Sequence, residues 1–137
     1  MRVLIADDSA LVRKSLAAMV SRIPGIEVCG QAEDGCQALD LVKKFNPEVV
    51  ILDIRMPLLN GINVLEKIKR ERANTCVIMI TNFPLPAYNK RCMELGADYF
   101  FDKSEDFKKI PDALKLMLKG VERDRKAERR LKNRRVE

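Results

Sequence analysis

Residues 49–53 read Val49-Val50-Ile51-Leu52-Asp53. Four consecutive large apolar residues leave no polar face, whereas a half-exposed strand would alternate. The run therefore predicts a central strand of a parallel sheet, covered on both sides, that carries Asp53 out at its carboxyl end.

The same grammar repeats on either side of this strand. Upstream, Arg2–Ala6 predicts a buried strand that ends in the acidic pair Asp7-Asp8, and Ser9 or Asp8 then caps a helix whose apolar face is Leu11, Val12, Leu16, Met19 and Val20. Pro24-Gly25 ends that helix, Ile26–Ala32 alternates as a second strand, and Cys36–Phe45 is periodic as a second helix. Asn46-Pro47 precedes the central strand. Downstream, a third helix follows Asn60-Gly61. Val77–Thr81 predicts a fourth strand, Pro86–Leu95 a fourth helix and Asp98–Phe101 a fifth strand just before Lys103. A last helix aligns Phe107, Ile110, Leu114, Met117, Leu118 and Val121 on one stripe. Five strands alternating with five helices predict a doubly wound α/β sheet, because parallel neighbours need crossover helices on both faces. Open sheets of this kind bind ligands outside the carboxyl ends of their strands. Asp7, Asp8, Asp53, Thr81 and Lys103 should therefore meet on one rim.

Composition narrows the function classes. A chain of 137 residues with 47% hydrophobic content predicts one ordinary domain. No apolar segment is long enough to span a bilayer and no basic-then-apolar leader is present, which predicts a cytoplasmic protein with no membrane insertion. The four cysteines (Cys29, Cys36, Cys76, Cys92) form no C-x-x-C pair and read as reduced, partly buried thiols. Histidine is absent, which removes the commonest general base and any phosphohistidine carried by the chain itself. Residues 121–137 hold 8 Lys/Arg against 4 Asp/Glu, so they carry +4 of the net +6 and the body is almost neutral.

The stretches "LIADDS", "VVILDIRMP", "NGINVL", "IMITN" and "GADYFFDKS" resemble the motifs of a response-regulator receiver domain of two-component signalling, of the single-domain chemotaxis-regulator type. The resemblance covers roughly residues 1–120. It implies a flavodoxin-like (βα)5 fold with strand order 2-1-3-4-5. It also implies that Asp53 accepts a phosphoryl group from the phosphohistidine of a sensor histidine kinase or phosphotransfer protein. A carboxylate can make that attack only if cations offset the repulsion between anions. By the same resemblance Asp8, Asp53 and the backbone carbonyl of Arg55 would ligate Mg²⁺ directly, with Asp7 acting through a water, a donor set suited to a hard octahedral ion. Lys103 would neutralise Asp53 and later hold a phosphoryl oxygen. Thr81 and Phe100 match the family's switch pair, whose movement would alter the face of the fourth helix, fifth strand and fifth helix for a partner protein.

Departures from the family pattern are local. Asn82 stands where a smaller residue is usual, and Ser104 replaces a frequent proline after Lys103, which predicts a trans bond there because a cis bond without proline costs about 2.5 to 4 kcal/mol. Arg55 and Phe83 flank the path of the hydrolytic water and predict a long-lived phosphoryl group. A phosphatase that uses two aspartates is disfavoured, since the position two beyond Asp53 is Arg55. A dinucleotide fold is disfavoured, since "ADDSALV" lacks a glycine-rich turn. The chain is therefore read as no enzyme beyond its own phosphotransfer and slow dephosphorylation.

Residues 121–137 are too few for a DNA-binding domain, so the expectation is a single-domain regulator with a basic tail that extends the last helix. The alternative is a receiver-like binding module whose tail engages nucleic acid or an acidic partner through Arg123, Arg125, Lys126, Arg129, Arg130, Lys132, Arg134 and Arg135.

Overall fold

The structure is a computed structural model that describes residues 1–136, with side chains described as far as Asn133. Glu137 and the side chains of Arg134, Arg135 and Val136, all counted in the basic tail, lie outside the described residues.

Five parallel strands, β1 (Arg2–Ala6), β2 (Glu27–Ala32), β3 (Val49–Asp53), β4 (Cys76–Thr81) and β5 (Tyr99–Asp102), form one sheet in the order β2-β1-β3-β4-β5. The crossovers are α1 (Ala10–Ser21), α2 (Gly35–Phe45), α3 (Gly61–Glu71) and α4 (Pro86–Glu94), and α5 (Ile110–Val136) follows β5. The predicted flavodoxin-like (βα)5 fold is the observed one. β3 is buried at every position, as its unbroken apolar run requires.

Alternation along the strands sorts their side chains into two cores. Val3, Ile5, Val49, Ile51, Ile78 and Ile80 face α1 and α5, where they meet Leu16, Val20, Ile110 and Leu114. Leu4, Ala6, Val50, Leu52, Val77 and Met79 face the opposite layer, where they meet Ala38, Val42, Val64, Leu65, Ile68 and Cys92. A one-residue slip of any central strand would exchange the two sets, so the register is held from both sides.

Several sequence boundaries move by one residue, and three expectations are corrected, for Leu11, Phe107 and Cys36. Leu11, assigned to the apolar face of the first helix, is 75% exposed. At 3.6 residues per turn it lies about 140° round from Leu16, off the stripe formed by Val12, Leu16, Met19 and Val20. Phe107 belongs to a separate 3₁₀ turn (Phe107–Lys109) before α5, although it still packs against the same core. Cys36 is exposed, whereas Cys29 and Cys76 are partly buried and Cys92 is buried. No cis peptide occurs among the described residues, so the Lys103–Ser104 bond is trans as expected.

Three of the crossover helices begin on a side-chain cap. Ser9 Oγ accepts from the Val12 N–H, Asp34 Oδ1 from Gln37 and Asn60 Oδ1 from Asn63. α4 begins at Leu85-Pro86 with no such cap. Two glycines bring helix starts against loop backbone. A Cβ on Gly61 would stand 1.9 Å from the Asp53 carbonyl oxygen, and one on Gly35 would stand 1.9 Å from that of Leu59. Between them Leu58 holds a left-handed backbone, φ 68°, with its side chain 79% exposed.

Leu58→Gly should raise stability by about 0.5 to 1 kcal/mol, since a left-handed L-residue costs roughly 1–2 kcal/mol and glycine returns only part of this as unfolded-state entropy. Gly61→Ala should lower it by about 2 kcal/mol or more, because the obstacle is main chain. Urea melts of the two variants check both signs.

Candidate functional site

The carboxyl rim of the sheet gathers the predicted residues from four chain segments. Asp7 follows β1 and is fully buried. Its N–H donates to the Ala32 carbonyl at 3.0 Å, and its own carbonyl accepts from Arg13 Nη1 at 2.7 Å. Its Oδ1 accepts from the Ser9 N–H at 2.8 Å, which closes a tight turn into α1. Asp8, the next residue, is exposed. Asp53 ends β3 and is 3% exposed.

Lys103, one residue past β5, is shared between two of these acids. Its Nζ lies 2.6 Å from Asp7 Oδ2 and 3.2 Å from Asp53 Oδ2, with the lysine side chain only 8% exposed. The approach to Asp7 Oδ2 is close but badly angled, so that buried oxygen has a charge contact and no directed hydrogen bond. Burial works against the Lys103 ammonium, but Asp7 and Asp53 outweigh it and hold its pKa above the ordinary value. The lysine is therefore a permanent cation at neutral pH.

Asp53 is pushed the other way. Burial first, then Asp7 and more weakly Asp8, raise its pKa to about 7 against the partial opposition of Lys103. One ammonium is thus insufficient for three crowded carboxyl groups. Oxygens of Asp7, Asp8 and Asp53 lie within 4.8 Å of one another. An all-oxygen donor set short of positive charge, with one buried oxygen that has only the Lys103 ammonium beside it, fits a small hard divalent cation. This is the kind of acidic cluster at which receiver domains bind Mg²⁺.

Thr81 ends β4 and is buried. Its carbonyl accepts from the Lys103 N–H at 2.9 Å, which ties the two neighbouring strand ends together, and its Oγ1 accepts from the Phe83 N–H at 3.0 Å. The hydroxyl proton stays free for another acceptor. Asp8, Asp53, Arg55, Thr81, Asn82, Phe83 and Lys103 line a cleft of about 200 Å³. Arg55 lays its guanidinium over the Phe83 ring, 4.1 Å from the centroid, at the edge of that cleft.

The structure therefore brings Asp7, Asp8, Asp53, Arg55, Thr81 and Lys103 together. Phe100 is not among the cleft residues: it pairs with Met79 in the sheet, is half-buried and packs against the core on the α2, α3 and α4 side. Sequence reasoning missed two positioning residues. In the sequence Gly61 marks only the start of a helix, although an Asn-Gly pair at a helix start is also a signal of close backbone approach. Arg13 gave no signal, since its neighbour on this rim is a main-chain carbonyl.

Comparison with known proteins agrees with this geometry. The family described as the response regulator receiver domain matches residues 3–115. The protein-glutamate methylesterase/protein-glutamine glutaminase 1 of Caulobacter vibrioides is 43% identical over 114 residues, covering 82% of this chain and 33% of its own length. Its counterpart in Treponema pallidum is 39% identical over 103 residues, 74% of this chain and 26% of its own. The chain thus spans a third or less of these relatives, and the activity in their names is that of the whole proteins. Among solved structures, the response regulator domain of Thermotoga maritima CheB is 31% identical with a TM-score of 0.76, covering 88% of this chain and 94% of that one. CheY in the CheX-CheY-BeF3-Mg+2 complex of Borrelia burgdorferi is also similar, at 30% identity and TM-score 0.73 over 83% and 89%. Five parallel strands in the order 2-1-3-4-5, the acidic rim and a family match over most of its length lead to one conclusion: the chain belongs to the response regulator receiver domains of two-component signalling.

Proposed function

We propose that the chain is a phosphoacceptor of a two-component phosphorelay in which Asp53 takes a phosphoryl group from the phosphohistidine of a sensor kinase or phosphotransfer protein. The observation that carries this reading is the buried Asp53 carboxylate held 3.2 Å from Lys103 and crowded by Asp7 and Asp8. An Asp53 oxygen attacks phosphorus in line. The new P–O bond forms as the P–N bond breaks, and the imidazole nitrogen leaves with the bonding pair and takes up a proton.

Asp8, Asp53 and the Arg55 backbone carbonyl would hold Mg²⁺ directly, with Asp7 acting through a water. When bound, the ion supplies positive charge against the phosphoryl oxygens. The Lys103 ammonium would add a second, fixed positive charge. Its contact with Asp7 keeps the ammonium in place when its contact with Asp53 is exchanged for one with a phosphoryl oxygen. Thr81 can donate its free hydroxyl proton to a second phosphoryl oxygen while still accepting from Phe83. Thr81 would then pull the loop before α4, and Phe100 would repack with it, altering the α4, β5 and α5 face for a partner protein. Residues 1–120 form the receiver unit in this reading and 121–137 a basic extension. The chemistry of the receiver unit in this reading is its own phosphotransfer and slow dephosphorylation.

Intact-mass measurement with acetyl phosphate and Mg²⁺ tests the proposal. One phosphate-sized increment is expected, absent without Mg²⁺ and absent in Asp53→Asn; no increment from either acetyl phosphate or a phosphorylated kinase would sink it.

The Arg55–Phe83 stack covers one flank of the cleft and should impede the hydrolytic water. The phosphoryl group is expected to last minutes or longer, and Arg55→Ala or Phe83→Ala to shorten it by roughly threefold to tenfold, about 0.7 to 1.4 kcal/mol of barrier. Decay followed by mass after donor removal checks this, and a wild-type half-life of seconds would refute it.

Stability should also report the site. The folded pKa of Asp53, about 7, lies above the ordinary 3.8, so the folded state holds the extra proton between those values. The ionised carboxylate therefore costs stability progressively as pH rises through that window, fully so above 7 and not at all below 3.8. Asp53→Asn should melt at higher temperature than wild type at pH 8 without Mg²⁺, with the difference shrinking toward pH 4. Mg²⁺ should narrow the gap at pH 8 by stabilising the wild type, and thermal melts at the two pH values measure both effects.

A further inference from the structure

We infer that the outward face of α5 beyond Val121 is a docking surface for the phosphate backbone of double-stranded nucleic acid. The core stripe of α5 runs through Ile110, Ala113, Leu114, Met117 and Val121, and every residue from Glu122 to Asn133 is exposed. At 3.6 residues per turn, Arg123, Arg125, Lys126, Arg129, Arg130 and Lys132 all fall within about half of the helix circumference, with Glu122 and Asn133 among them. The other half carries Asp124, Ala127, Glu128 and Leu131. Charge is therefore segregated by face. The core stripe runs along the acidic half and reaches the edge of the basic arc at Arg125 and Lys132, so Arg123, Lys126, Arg129 and Arg130 are the cations turned away from the body.

The root of the extension is fixed. Glu48 accepts from the Arg2 N–H and pairs with Arg125 at 3.2 Å, while Met117, Val121 and Asp124 form one wall of a cleft of about 690 Å³ against Arg2, Pro47 and Arg72. This cleft lies at the amino-terminal rim of the sheet, opposite Asp7, Asp8 and Asp53. A polyanion on the outward face would meet Arg123, Lys126, Arg129 and Arg130 without approaching the acidic site.

The chemistry of the two faces selects the partner. A membrane surface would need an apolar face opposite the cations, and that face holds two carboxylates. Protein interfaces are anchored by desolvated aromatic or apolar side chains, and residues 122–137 contain no aromatic and few apolar groups. The same lack of aromatics removes base stacking and with it a preference for single strands. A straight basic helix of about 18 Å fits a duplex groove and the phosphates that border it.

The test is fluorescence anisotropy of the full chain with a labelled mixed-sequence duplex at 50 and 200 mM salt. Four phosphate contacts predict a slope of log K on log salt near about −3.6, hence a loss of roughly a hundredfold across that range. Arg123→Gln with Lys126→Gln, Arg129→Gln and Arg130→Gln should abolish the salt-sensitive binding while circular dichroism and melting temperature stay at wild-type values. Lys126→Gln alone should flatten the slope by about 0.9. Asp124→Asn with Glu128→Gln, on the other face, should bind as tightly as wild type or more tightly. Absence of duplex binding at 50 mM salt, an unchanged slope in both outward-face variants, or equal affinity for polyglutamate would each overturn the inference, the last in favour of an acidic protein segment.

Discussion

Lys103 holds the rim together because its single ammonium answers to two carboxyl groups from different strands. Asp7 comes from the end of β1 and Asp53 from the end of β3, and the lysine reaches both from beyond β5, at the far edge of the order β2-β1-β3-β4-β5. The lysine also takes its backbone support from Thr81, so a single residue connects four strand ends. Among the described residues it is the one cation shared by the two buried acids, Asp7 and Asp53, while Asp8 faces solvent. With it the acids remain short of positive charge, the deficit on which the proposed cation and phosphoryl chemistry rests.

The rest of the fold serves that balance. Two apolar layers, one facing α1 and α5 and the other facing α2, α3 and α4, fix the strand register and thereby the height at which each polar residue emerges. Asp53 is displayed at the end of a strand with no exposed face, so its carboxylate has little water to lean on. Its raised pKa is a consequence of position in the sheet before it is a consequence of any neighbour.

Much of this could be read from the chain because chemistry and hydrophobicity change at the same places. Four of the five strands, β2 excepted, are apolar runs that stop at, or just before, a polar residue of the rim, and those four stops in order made both the sheet and the site visible. What stayed hidden depends on geometry that a linear pattern does not encode. Leu11 matched the hydrophobic composition of its helix but sits on the wrong side of it. The sharing of Lys103 between Asp7 and Asp53 is set by side-chain direction across two strands. The Arg55–Phe83 stack joins two loops that periodicity does not describe, and Gly61 is required because a carbonyl occupies the place of its side chain. In α5 the stripe was legible to Val121, but the sorting of charge beyond it becomes apparent only once the helix is continued.

The unequal anchoring of the helix starts makes the rim mechanically asymmetric. On the β1 and β3 side, caps at Ser9, Asp34 and Asn60 combine with backbone wedged against Gly35 and Gly61, so the carboxylates stand on a stiff frame. On the β4 side, α4 starts without a side-chain cap, and Phe83 and Leu85 face solvent. Any rearrangement that strains this rim will be absorbed where the fewest bonds must break. The cluster is thus built like an anvil and the loop before α4 like a spring, so the switch proposed for Asp53 would spend its strain on the α4 side.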